Sequence, residues 1–236
     1  MQKNRVNVIV LAFATLMVVS CAISLVQAQT QKNSYPAMAP LNEYLMPQSE
    51  EIALARTAAP KSISDGAEVM VLGHDGYTTA AQGTNGFLCI VERAWGAATA
   101  DAEFWNSKIR APICFNPAAA RTFAPIYLMK TKLVLAGKSR TEILQATDSA
   151  FDKKELPDLE RGSMCYMTSK DQYLNDLGKS WHPHVMVLIP GDAAKSWGAN
   201  LPNSPVIAAN DPEEHVTLFM VELSKWSDGT AAPPTD

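Results

Sequence analysis

The chain has no run of basic residues anywhere in its 236 positions. Its 20 Lys and Arg stand against 24 Asp and Glu. Residues 1–28 carry two positive and no negative side chains, so the remainder bears a formal charge of 18 − 24 = −6. An acidic protein without a basic stretch is a poor match for nucleic acid or for an anionic membrane surface. Long Gly/Ser or Pro linkers are also missing, which favours one domain over two in the 208 residues after position 28. Several catalytic signatures are absent as well. There is no GxSxG nucleophile elbow and no SxxK pair, no HExxH ligand spacing, and no GxGxxG turn. Without that turn the Tyr166 to Lys170 spacing carries no dehydrogenase meaning. A dispersed triad stays open, because triads are defined by geometry and not by order in the chain.

Hydrophobic length is concentrated at the N-terminus. Lys3 and Arg5 precede an apolar run from Val6 to Val26, and small residues follow. This is the layout of a secretory signal, with the expected cleavage after Ala28. Two other readings are an uncleaved anchor, since the run is long enough to span a bilayer, and lipidation at Cys21. All three put the rest of the chain in the periplasm or outside the cell, and the first leaves no stable membrane insertion. The expected organisation is a signal at 1–28, a flexible tether at 29–47, an α+β domain at 48–230 and a disordered tail at 231–236.

Cysteine is scarce. Beyond residue 28 only Cys89, Cys114 and Cys165 remain. An oxidising compartment allows one pair, and Cys89 with Cys114 is the favoured one, with three buried thiols as the competing reading. Cys165 is then left over, and nothing in SMCYMTSK guarantees the positive or imidazole neighbour that an activated thiolate needs.

The segments AEVMVLGH, YTTAAQGT and FLCIVER are separated by Asp75-Gly76 and Asn85-Gly86, pairs suited to tight hairpin turns. They predict an antiparallel three-stranded meander in which Val71 faces Ala80, Ala80 faces Val91, and His74 lies opposite Tyr77. Asn116-Pro117 opens a helical stretch that Pro125 kinks or restarts and Gly137 ends. Ser139 to Glu142 has the form of a capping box for a helix to about Lys153. Together these predict a helical hairpin on one face of a sheet. Four more strands are expected at 163–168, 184–189, 205–209 and 215–223, with HVMVLI covered on both sides because it lacks polar alternation. The order gives an α+β class, mainly antiparallel.

The stretch WHPHVMVLIP draws attention because His182 and His184 are two apart, a spacing that places side chains on one face of an extended chain. If the strands starting at 184, 205 and 215 form a meander, His184 and His215 share a sheet edge. Trp181, His182, His184, Trp197 and His215 are therefore the candidate ligand-binding residues. The expected function is an exported binding or structural module whose partner is a small molecule or an envelope component. No cofactor is required by that reading. The alternative is a metal-dependent or histidine-assisted hydrolase at the same edge, with His182 and His184 holding a divalent transition metal such as zinc.

Overall fold

The structure is a computed structural model, and it describes residues 35–234. The expected signal, its cleavage point after Ala28 and Cys21 lie outside the described residues.

Eight strands form one mixed sheet: β1 (Glu68–Gly73), β2 (Gly76–Ala81), β3 (Leu88–Glu92), β4 (Ala111–Phe115), β5 (Met164–Met167), β6 (His184–Pro190), β7 (Ile207–Asp211) and β8 (Val216–Glu222). Their order is β2-β1-β3-β4-β5-β6-β8-β7. Every pair is antiparallel except β1 with β3. Among the described residues five α-helices accompany them: α1 (Gln48–Arg56), α2 (Lys61–Ser64), α3 (Pro117–Thr122), α4 (Ala124–Leu135) and α5 (Arg140–Asp152). The class is α+β.

The three-stranded meander is not what forms. The first hairpin closes one residue earlier than expected, with His74 and Asp75 in the turn, so that Gly73 pairs with Gly76 and Val71 with Thr78. The chain then crosses the start of β1 and returns on its other side, which makes β3 parallel to β1 and leaves β2 at the sheet edge. The crossing needs a glycine. A Cβ on Gly83 would lie against the backbone of Ala67 and Glu68. Thr84 N–H and Asn85 N–H donate to the carbonyl of Gly66, which anchors the crossover. The Asn85-Gly86 pair thus turns the chain without making a hairpin.

Alternation along β3 divides the core. Leu88 and Ile90 belong to one cluster with Ile113, Phe115, Phe123, Ile126 and Tyr127, on the face covered by α3, α4 and α5. Cys89 and Val91 belong to the other, with Cys114 and the Ala55, Ala58 and Ala59 patch at the end of α1. Strands β3 and β4 are consequently buried on both sides. β6 is interior in the sheet but only partly covered, with His184 and Leu188 its two buried residues. The expectation of double coverage fails there because α1 packs over the β2-β1-β3-β4 side of the sheet and not over β6.

Asn116 accepts from Ala119 N–H at 2.9 Å and so caps α3. Pro125 cannot supply a helical N–H, and the helix breaks at Phe123 before α4 begins at Ala124. Ser139 and Glu142 form the reciprocal capping box of α5. Part of the stretch read as a tether contributes to the core: Tyr44 is fully buried, its hydroxyl donates to Trp105 O at 2.8 Å and its ring meets Trp95. Near the other end, Ala232 N–H donates to Ser224 O.

Cys89 and Cys114 face each other in register across β3 and β4, their sulfurs within bonding distance. Cys165 is buried on the opposite face of the sheet. Alkylation of the unreduced protein should therefore label Cys165 only after unfolding, and peptide mapping should recover Cys89 and Cys114 as one linked species. Labelling of all three thiols in unreduced, unfolded protein would contradict the pairing.

Candidate functional site

The residues singled out from the sequence do not assemble into one site. β6 and β8 are antiparallel neighbours, with His184 opposite Glu222 and Pro190 opposite Val216. His184 and His215 are therefore at opposite ends of the strand pair, roughly 20 Å apart along it. The shared edge required β7 between them, whereas β8 takes that place. His215 is stacked on Phe151, ring centres 4.3 Å apart, in a left-handed backbone conformation at φ 55°. His74 is in the exposed β1–β2 turn at the far side of the sheet.

At the start of β6, Trp181 lies over His184 with ring centres 4.6 Å apart. His184 Nδ1 is 2.8 Å from the His182 carbonyl, and burial lowers its pKa. His182 Nδ1 is buried without a hydrogen-bond partner. Among the described residues, no three His, Cys, Asp or Glu side chains converge as a metal site would require. Trp197 is 56% exposed and rests on Phe219 at 4.4 Å. Phe219 pairs with Val187, so by strand alternation it occupies the face opposite His184. The tryptophans and histidines thus form separate features.

The structure instead places a cavity of about 260 Å³ between the sheet and the α3–α4 break. Its floor takes one side chain from each of five adjacent strands: Glu92, Ile113, Met167, Met186 and Leu218. Phe123 and Tyr127 form the helical wall. The break that Pro125 imposes puts Phe123 at this position. Gly96 keeps the space beside Glu92 open, since a Cβ there would stand 3.1 Å from Glu92 Oε2 and 3.2 Å from Tyr127 Cε2.

Two loops close the rim. The β7–β8 turn is shaped by Asp211 Oδ1, which accepts from Glu213 N–H and Glu214 N–H. Glu213 reaches across to accept from Thr99 N–H and the Thr99 hydroxyl. Buried Lys130 of α4 donates to Ala97 O at 3.0 Å and to Glu214 Oε1 at 3.2 Å. These bonds tie turn, loop and helix together around the opening.

The electrostatics are unusual for a region with apolar walls. Glu214 is neutralised by Lys130, yet burial still raises its pKa. Glu92 accepts no hydrogen bond from any described residue. Burial, and then the charge of Glu214, push its carboxyl up to about 8 against the opposing pull of Lys130. Cys165, deep under the same sheet region, is raised by burial and then by Glu92 and Glu214. That is the reverse of the environment an attacking thiolate needs.

This site was missed from the sequence, although a signal exists. Leu88, Ile90 and Glu92 share one face of β3, so Glu92 interrupts an apolar stripe. Ile126, Tyr127, Lys130, Thr131 and Val134 recur at helical spacing, so Lys130 falls on the buried side of α4. No family model, curated protein or solved structure matches this chain.

Proposed function

We propose that the protein is an exported binding module that holds a small, largely apolar molecule in the cavity above β3–β8. One observation carries this reading: the half-buried carboxyl of Glu92, which accepts no hydrogen bond from a described residue, faces a largely apolar chamber whose rim is held by a buried ion pair. Burying such a group without compensation costs free energy. A ligand that meets Glu92 while covering Ile113, Met186 and Leu218 would offset that cost. The chamber is slightly below the roughly 300–1,000 Å³ of drug-sized sites, which suits a fragment-sized ligand. Export is supported by the N-terminal pattern and by the cysteine pair. The competing hydrolase at the His182/His184 edge has less behind it, because among the described residues no third ligand-type side chain converges there and Trp181 packs against the His184 ring.

The neutral fluorophore N-phenyl-1-naphthylamine tests the proposal. The parent protein should bind it saturably. Leu218→Trp, which fills the chamber, should weaken binding by about tenfold or more, a loss of about 1.4 kcal/mol. Met186→Phe is a milder filling should the first variant fold poorly, and Trp197→Ala should leave binding unchanged. Undiminished binding in folded Leu218→Trp or Met186→Phe, or loss on Trp197→Ala, would move the site elsewhere.

A further inference from the structure

Phe123 has open space on both sides. A second chamber of about 230 Å³ lies across it from the first, lined by Ile126, Phe151, Leu159, Pro190, His215 and Val216. Phe123 and Glu214 line both. The two spaces therefore meet at an aromatic ring and a carboxylate already neutralised by Lys130. The inner one has the unpartnered carboxyl at its floor, and the outer one is bounded mainly by aliphatic and aromatic carbon.

We propose that the ligand is an amphiphilic monocation, an amine whose ammonium group pairs with Glu92 and whose apolar body passes Phe123 into the second chamber. This inference rests on the cavity being the binding site. Three charge arguments select the class. An anion would meet the carboxyl groups of Glu92, Asp211 and Glu214, with the nearby Lys130 already engaged by Glu214. A neutral molecule of the same shape offers no counter-charge once Glu92 ionises. An ammonium supplies that charge and up to three donors, and it would sit near the aromatic rings of Tyr127 and Phe123 that line the chamber. Pairing with an ammonium also makes a charge-assisted bond, roughly twice as strong as a neutral one. The body is mainly apolar, because Ile113, Met186 and Leu218 in the first chamber and Ile126, Leu159 and Val216 in the second dominate the walls, with Thr122, Asp158 and His215 as the polar groups of the second. Glu92 is faced by Lys130 and Tyr127 from α4, by Glu214 and Asp211 from the β7–β8 turn, and has Cys165 of β5 nearby. Lys130 is the single cation in that group, and Glu214 holds it.

Calorimetric titration of the protein at pH 8 with n-hexylamine, 1-hexanol and hexanoate separates the possibilities. The amine should bind about tenfold or more tightly than the alcohol, and hexanoate should not bind detectably. Glu92→Gln should bring amine and alcohol to equal affinity. Extending the amine from butyl to octyl should raise affinity steadily in the parent, and Val216→Phe, which narrows the outer chamber, should stop the gain at the longer chains. Alcohol binding equal to or better than the amine would overturn the cationic ligand while leaving the cavity reading in place. The same holds if N-phenyl-1-naphthylamine binds and no hexyl compound does. Failure of the fluorophore and all three hexyl compounds would overturn both. An affinity series unaffected by Val216→Phe in folded protein would overturn the passage past Phe123.

Discussion

Glu51→Leu is expected to lower the free energy of unfolding by about 3–5 kcal/mol, read from urea denaturation followed by tryptophan fluorescence. Glu51 of α1 and Arg93, next after β3, are both fully buried and form an ion pair at 2.9 Å. Arg93 also donates to the Tyr44 carbonyl at 2.7 Å and to that of Val91, and Glu51 Oε1 accepts from Leu72 N–H at 3.1 Å. One pair thus connects α1, β1, the end of β3 and the segment around Tyr44. Removing the carboxylate leaves a guanidinium in the interior without its counter-charge, and that uncompensated charge is the source of the large effect. Against a typical net stability of about 5–15 kcal/mol, the loss is a substantial fraction of the whole. Replacing both partners, as Glu51→Leu with Arg93→Met, should recover at least half of it. If the double variant is as unstable as the sum of the two single ones, Arg93 is held by its carbonyl partners and the ion pair is incidental. Arg93 adjoins Glu92, so the pair also fixes the strand end that presents the cavity carboxyl.

The readable and unreadable parts of this fold differ in range. Asn116, Pro125 and the Ser139–Glu142 box act on backbone groups within four residues of themselves. Their consequences for α3, α4 and α5 could therefore be read locally. The Cys89 and Cys114 pairing was also within reach, because the two are near enough in sequence to meet on adjacent strands. The meander failed where local turn chemistry met a longer-range requirement. Asn85-Gly86 fits a hairpin, but the crossover at Gly83 brings β3 to the free side of β1, where Cys89 and Val91 can reach the alanines of α1. Gly83 permits that crossover, but what favours it over a hairpin is the alanine patch of α1, far upstream in the chain. The histidine edge failed for a similar reason. His184 and His215 each begin a strand, and whether they meet depends on β8 or β7 lying next to β6, which is a property of the assembled sheet. The cavity suffered less from range than from emphasis. Glu92 and Lys130 were legible as polar residues on apolar stripes, yet histidines two apart form the more familiar pattern.

Glu92→Gln should stabilise the protein, and the gain should grow as pH rises from about 5 to about 8. The folded-state pKa of about 8 stands above the ordinary carboxylate value of 4.5. Between those limits the folded protein retains a proton that the unfolded chain has released. Raising pH therefore favours unfolding, at up to about 1.4 kcal/mol per pH unit from this group. Below about 4.5 both states are protonated and the contribution is fully present; above about 8 both are ionised and the slope vanishes. Across the window the parent should lose on the order of 3 kcal/mol relative to Glu92→Gln, since glutamine keeps the shape of the neutral acid and has no proton to lose. Glu214, Lys130, Tyr127, Asp211 and Cys165 face this region in both proteins, so the difference between the two stability curves reports Glu92 together with its coupling to those neighbours. Urea unfolding at half-unit pH intervals supplies those curves. Parallel curves would show that the carboxyl is ionised and solvated in the folded state, and the cavity would then lack its defining feature. A saturating amine should flatten the parent's slope, because an ammonium beside Glu92 stabilises the ionised form and draws its pKa down. A side chain that weakens its own fold at neutral pH and is relieved by a ligand is better explained by binding than by packing.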